Sequence, residues 1–453
     1  MSSGGVEITE KGRLFLLISA GLIAIDFVFS GVSGSLTYSP PILIVIGLSC
    51  VLLVYALRLV LIIQASAINS VKITRILSRE SIEGENIDVI VKVENPTNIA
   101  IYNVEVKDNY PKTMKLIEGS NHIILNIPAS GSIEIKYTLK TRMIGLHTFG
   151  SIDLVLRDYL NLFRYSTSKD VKNDLRIYPR SYEPSHFTSI FPGSKTITGA
   201  SFTRKKGSGY EFADIREYHP GDDLRRIEWK ATARLGKLMI KEFDAEGVAT
   251  IVIILDATGS MAYGVVGERK IDYAARTIAY LLNYLSKRRD YLGFIFYDGV
   301  EHKVIPISSA AHQFPIIYRI LGELKVSRSL DKKGLANIIY ESIGRIGIRE
   351  KTLYLLISDL EGDLGALPKV LAELKAMKHE VIIISPLTPL FEAPALERWE
   401  GAIYRVVTVD YWKKRDEVIK QLGKYGIPVI DVGPNDFIPT IIAKIEDYRR
   451  MVL

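Results

Sequence analysis

Residues 251–261, IVIILDATGSM, decide the reading of this chain, because an apolar run leads directly into an aspartate followed by hydroxyl residues at alternating positions. An apolar run bounded by Asp and Gly reads as a strand buried on both faces, which belongs in a parallel sheet. Asp256, Thr258 and Ser260 then stand on the loop at the carboxyl end of that strand, where open α/β sheets bind their ligands. One carboxylate and two hydroxyls are hard oxygen donors, too few to enclose a Mg²⁺ ion, which prefers octahedral geometry and keeps several waters. A carboxylate from another protein can complete such a shell. Without a ligand, the same residues make an ordinary turn.

A second stretch, TLYLLISD at 352–359, repeats the pattern of an apolar run ending in Asp, so Asp359 is the natural partner of Asp256. Between the two lie a helical pattern near 271–288, a strand LGFIFYD ending at Asp298, and helical patterns near 311–324 and 334–346. Strands alternating with helices predict a doubly wound α/β domain. From about 249 to 453 the chain resembles a von Willebrand factor A-type domain, whose metal-ion-dependent adhesion site is written DxSxS and here reads DATGS. The resemblance implies that Asp256, Thr258, Ser260 and Asp359 hold a divalent cation, Mg²⁺ or Mn²⁺. Thr258 replaces the first Ser and keeps its hydroxyl. The family's middle-loop Thr has no counterpart in SRSLDKKGLAN, where Ser327, Ser329 and Asp331 are the nearby oxygens.

The 453 residues suggest two to four domains, with 47% hydrophobic and 24% charged residues, enough for ordinary cores. The single cysteine, Cys50, excludes a disulfide framework and sits in an apolar segment. A formal charge of +7 spread along the chain gives no stripe for nucleic acid. Two apolar segments, 14–32 and 42–65, are each long enough to cross about 30 Å of hydrocarbon. They predict a transmembrane hairpin over residues 1–66. Lys11 and Arg13 precede it and Lys72, Arg75 and Arg79 follow, so the positive-inside rule places both termini and the later domains in the cytoplasm, on a multi-pass membrane protein. Asp26 and Arg58 lie towards opposite ends of these helices, where each can snorkel to its own surface.

Residues 67–183 change to short alternating runs such as IDVIVKVEN and SIEIKYTL with turn signals between them, predicting an antiparallel β-sandwich. Residues 184–247 form a linker and a central motif, followed by the A-type domain at 248–453. The motif, GSGYEFADIREYHPGDDLRRIEWKATAR, interleaves charges of both signs with aromatics. Arg216, Asp222, Asp223, Arg225, Arg226 and Trp229 are its candidate partner-binding residues, because arginine forks suit carboxylates and interface hot spots favour Arg and Trp. The motif is similar to the signature of the domain of unknown function 58 family, as is RMIGLHTFGSIDLVLRDYLNLF at 142–163. In that family a membrane-anchored β domain precedes the motif and an A-type domain follows.

The resemblance implies a membrane-tethered adaptor, binding a partner through a cation and working with a MoxR-type AAA+ ATPase. A metal-independent scaffold using the central motif is the alternative. A metal-assisted hydrolase built on His219 with Glu217, Asp222 and Asp223 is the third reading. No HExxH, phosphate loop or GxSxG elbow occurs, so no enzyme and no small-molecule substrate are predicted. The remaining histidines show no ligand spacing, and Glu361 and Asp363 read as a solvated loop beyond Asp359.

Overall fold

A computed structural model describes residues 5–32, 42–180, 206–207, 211–219, 222–244, 248–325, 334–347, 351–361, 365–392 and 398–452. Ser327, Ser329, Asp331, Asp363, Tyr210 and the Pro220-Gly221 turn lie outside the described residues, as does the side chain of Arg226. The chain divides into two compact units, Met1–Ile177 and Tyr178–Leu453.

In the first unit, helices α1 (Glu10–Val32) and α2 (Ile42–Ser70) pack against each other. At Gly47 of α2 an added Cβ would lie 2.5 Å from Ile23 Cγ1 and 3.0 Å from the Ser19 carbonyl of α1, an approach that requires glycine. Asp26 of α1 accepts from the Ile44 backbone N–H at 3.2 Å. It therefore satisfies one of the orphan donors in the first turn of α2, where a negative charge also suits the helix dipole. Among the described residues α2 alone is long and apolar enough to cross a membrane. Leu48, Leu52, Leu59 and Ile63 are among its many exposed apolar side chains.

The strands of this unit form sheets of which the first two are antiparallel throughout. One runs Glu7–Ile8, Phe163–Lys169, Ile152–Arg157, Ile101–Asp108, His122–Ile127, and a second runs Lys72–Ile76, Asn86–Glu94, Ser132–Lys140, Lys115–Gly119. A third contains Glu80–Ile82, Asn173–Tyr178 and Gly145–Phe149. Period-two alternation buries Ile87, Val89, Val91 and Val93 on one face of a single strand. The same core takes in Leu61, Ala65 and Ile68 from the last turns of α2. Helix and strands thus share one hydrophobic interior.

Arg75 differs from its sequence reading as a charge flanking the membrane: it is buried in the β domain. Its Nε donates to Asp108 Oδ2 at 2.9 Å, and its Nη atoms reach Asp108 Oδ1, the Val171 and Gly150 carbonyls and Asn173. Tyr137 donates to the same carboxylate at 2.6 Å. Lys72 and Arg79 remain exposed.

In the second unit, a small antiparallel sheet of Lys206–Gly207, Met239–Asp244 and Glu211–Glu217 carries helix α3 (Trp229–Leu235), which closes on Gly236 in the left-handed region at φ +68°. A six-stranded sheet follows, in the order His302–Ser309, Tyr291–Tyr297, Thr250–Asp256, Leu353–Ile357, Glu380–Pro386, Val429–Val432. Numbered along the chain this is 3-2-1-4-5-6, the doubly wound order. Five strands are parallel, and the His302–Ser309 edge is antiparallel to Tyr291–Tyr297, which makes the sheet mixed. Helices α4 (Lys270–Lys287), α5 (Ala310–Gly322), α6 (Leu335–Ile346), α7 (Leu367–Ala376), α8 (Thr388–Glu392), α9 (Arg398–Lys424) and α10 (Phe437–Val452) connect and follow these strands. Every residue of Thr250–Asp256 and of Leu353–Ile357 is buried, as expected of central parallel strands.

Candidate functional site

Strand order reverses between Thr250–Asp256 and Leu353–Ile357, the topological switch point at which open α/β sheets place their ligands. Register pairs Leu255 with Ile357, so Asp256, Ser358 and Asp359 leave the sheet side by side. Asp256 and Asp359 are 6% and 1% exposed. Asp256 Oδ1 accepts from the Thr258 N–H at 3.0 Å and its Oδ2 from the Ser358 hydroxyl at 2.6 Å. Asp359 Oδ1 accepts from the Ser260 hydroxyl at 3.0 Å and from the Glu361 N–H at 3.2 Å. Thr258 Oγ1 and Ser260 Oγ stand 3.5 Å apart. The structure therefore brings Asp256, Thr258, Ser260 and Asp359 to one edge.

The negative charge there is only partly met. Burial, followed by the charge of Asp359, pushes the Asp256 carboxyl up to about 6. Glu361 is raised by burial and then by Asp359, with Lys270 and Thr388 pulling back. Its side chain is 23% exposed, which makes it a rim group rather than a core one.

Sequence reasoning missed Lys270. Its side chain is fully buried at the first residue of α4, and Nζ donates to Asp359 Oδ2 at 2.7 Å, to Thr388 Oγ1 at 2.7 Å and to Glu361 Oε1 at 3.3 Å. Thr388 also donates to Glu361. The helix start is fixed by Arg269, whose backbone N–H and Nε both bind Asp272 Oδ2, at 3.0 and 2.9 Å. Arg415 of α9 donates to the Asp359 carbonyl at 3.3 Å and pairs with Asp431. A lysine at a helix N-terminus, opposed to the dipole, was the available signal.

The central motif divides into an internal part and a surface part. Arg216 holds Asp222 bidentately, with both bonds at 2.7 Å, and the His219 N–H adds a third at 2.8 Å. The Arg216 hydrogen bond and that N–H hold the Asp222 carboxyl down at about 2. Asp223 caps the short turn Leu224–Arg226 by accepting from the Arg225 N–H at 3.0 Å. Arg225 and Trp229 face solvent, Trp229 at 69% exposure. His219 is exposed too.

The donors at the sheet edge are two carboxylates and two hydroxyls, all oxygens, and this set fits a hard cation that keeps open positions. Among the described residues no group of three or more His, Cys, Asp or Glu forms a cage for a metal ion.

Two of the curated relatives that this chain resembles serve as examples. One is the uncharacterized protein YeaD of Bacillus subtilis, 22% identical over 53% of this chain and 57% of its own length. The chain thus spans little more than half of that relative. Another is the uncharacterized protein Mb1516 of Mycobacterium bovis, 23% identical over 54% of this chain and 82% of its own. Among solved structures, the conserved hypothetical protein BatB from Bacteroides thetaiotaomicron aligns at 15% identity over 45% of this chain and 100% of that one, with a TM-score of 0.33. Over residues 214–390, a span that holds Asp256, Thr258, Ser260, Lys270, Asp359, Glu361 and Thr388, the chain matches the family described as Protein of unknown function DUF58, the family its central motif resembles.

Proposed function

We propose that this protein is a membrane-tethered adaptor that binds a partner protein at the carboxyl edge of its A-type sheet. The observation that carries the reading is the convergence of Asp256, Ser260 and Asp359 at the switch point, with Ser260 bonded to Asp359 at 3.0 Å. Asp256, Thr258, Ser260 and Asp359 would hold Mg²⁺ or Mn²⁺, which supplies positive charge for a carboxylate of the partner. Asp256, Asp359 and Glu361 set against the single ammonium of Lys270 leave an excess of negative charge that suits a divalent ion. The partner we assign, on the family resemblance, is a MoxR-type AAA+ ATPase, which would supply the nucleotide-driven work for which this sequence has no phosphate loop. In this reading α2 spans the membrane and α1, whose apolar sequence runs from Leu14 to Val32 and which packs on α2, makes the second pass of the anchor. Its exposed apolar stretch on α2, from Ile42 to Ile63, rises about 33 Å, close to the thickness of a hydrocarbon core. Lys11, Arg13, Lys72 and Arg79 put both ends, and the soluble units, in the cytoplasm.

The test is affinity capture with the tagged, detergent-solubilised chain, in Mg²⁺ and in chelator, comparing wild type with Asp256→Ala. A partner retained only by wild type in Mg²⁺ is expected; retention in every lane would overturn the cation-bridged mechanism.

A second reading, a metal-independent scaffold, is favoured by one observation. Trp229, Leu224 and Leu235 of the central motif are 69%, 61% and 59% exposed, beside the exposed Arg225. Capture that survives Asp256→Ala and is lost in Trp229→Ala would select it.

A further inference from the structure

We propose that Lys270 is a built-in cation of the sheet edge. Its ammonium fills the half of the site bounded by Asp359 Oδ2, Glu361 and Thr388, and leaves a divalent ion only the half bounded by Asp256, Thr258, Ser260 and Asp359 Oδ1. The inference deepens the cation-bridged reading and rests on it for the role of the open half.

Three observations carry it. The lysine side chain is fully buried, at 0% exposure, and an unpaired buried ammonium would be costly. All three of its N–H donors point at oxygens, two from carboxylates and one from a hydroxyl. That is a small oxygen cage of the kind that hard cations occupy, with a tethered charge in place of an ion. Lys270 also breaks a local rule, since the first turn of a helix favours acids. Departures from local preference with a compensating network are expected where a site is being built.

The consequence for binding is positional. Asp359 is shared: Oδ2 is committed to Lys270 while Oδ1 faces Ser260, so the lysine fixes the carboxylate plane that a metal ion in the open half would meet. Lys270 is thus a positioning residue, acting through Asp359. It also keeps a second divalent ion out of the edge by like charge, and so limits the site to one ion and one partner carboxylate.

The test is to count bound ions. Equilibrium dialysis of the full detergent-solubilised chain against Ca²⁺, and separately against Mn²⁺, is compared for wild type, Lys270→Ala and Lys270→Ala/Glu361→Gln. Lys270→Ala is expected to bind one more ion per chain than wild type, whatever the wild-type value. Its melting temperature should fall in chelator and recover in Ca²⁺, and Glu361→Gln should abolish the extra ion. A merely structural lysine would lower the melting temperature without changing the ion count.

If Lys270→Ala fails to fold in chelator, Lys270→Ser, which removes the charge, leaves the pocket open to an ion and keeps a hydroxyl for its oxygens, is measured in the same way. Equal ion counts in wild type and in the folded variant overturn the inference. A count of zero in wild type and one in the variant sinks the cation-bridged reading of the open half and leaves the assignment of Lys270 standing. One in both proteins does the reverse.

Discussion

Among the buried cations, Arg75 of the first unit and Lys270 of the second are handled in opposite ways. Arg75 sits inside the β domain with Asp108 as its one carboxylate among the described residues, and its other donors go to Val171, Gly150 and Asn173, while Tyr137 completes Asp108 and the Phe149 ring lies 5.2 Å from the guanidinium carbon. One positive charge meets one negative charge, and the network closes within the core. Lys270 meets Asp359 and Glu361, with Asp256 beside them held largely by hydroxyl and backbone donors. That network is acidic in excess and opens at Glu361 to solvent. A balanced, closed network is what folding alone asks for. An unbalanced one at a sheet's switch point is what the proposed cation site requires.

The largest effect is expected in the closed network. Arg75→Met strands the buried Asp108 carboxylate and should cost about 3–5 kcal/mol of stability, read as an earlier denaturant midpoint for the β domain. A loss below about 1 kcal/mol would mean that water reaches Asp108 and that the network is not closed.

The open network should respond to charge in the other direction. In chelator, Asp256→Asn relieves the carboxylate repulsion and should melt at or above the wild-type temperature, a gain on the order of 1 kcal/mol. Added Mg²⁺ should stabilise wild type and leave Asp256→Asn unmoved. A variant that melts well below wild type in chelator would show that the edge is balanced after all.

A smaller effect is expected at the opposite, amino end of the same sheet. His379 is buried, its Nδ1 accepting from the Thr352 N–H at 3.3 Å, and burial holds its pKa below the ordinary 6.5. The unfolded chain therefore takes up a proton that the folded chain refuses. Stability should be unaffected above about 6.5 and fall as the pH drops through that value. His379→Gln should flatten this part of the melting profile; an unchanged slope would assign the response to other groups.

The smallest change belongs to the central motif. Trp229→Ala should alter stability by no more than about 0.5 kcal/mol, because the ring is mostly in water. Any larger loss would place that ring in the fold rather than on an interaction surface.

Much of the α/β sheet was legible in the chain itself. TIVIILD and TLYLLISD announce central strands by their unbroken apolar runs, and the Asp at the end of each run marks the sheet's carboxyl edge. Lys270 was not legible in that way. It stands in the charged run GERK, which reads as a solvated approach to a helix, and its partners lie 89, 91 and 118 residues further on. Arg75 was misleading for the same reason, since its burial depends on Asp108 arriving from another strand. Periodicity reports which face of an element is apolar, while the pairing of buried charges depends on which elements meet.

The end of α2 has a mechanical consequence. Leu61, Ala65 and Ile68 belong to the same interior as the β strands, so the helix runs into the domain as a mast set in its deck, with no leash between them. A helix advances about 100° per residue. In the membrane-spanning arrangement, one residue inserted into α2 ahead of Leu61 would swing the β domain about a quarter-turn around the membrane normal, and whatever docks on that domain would have to follow.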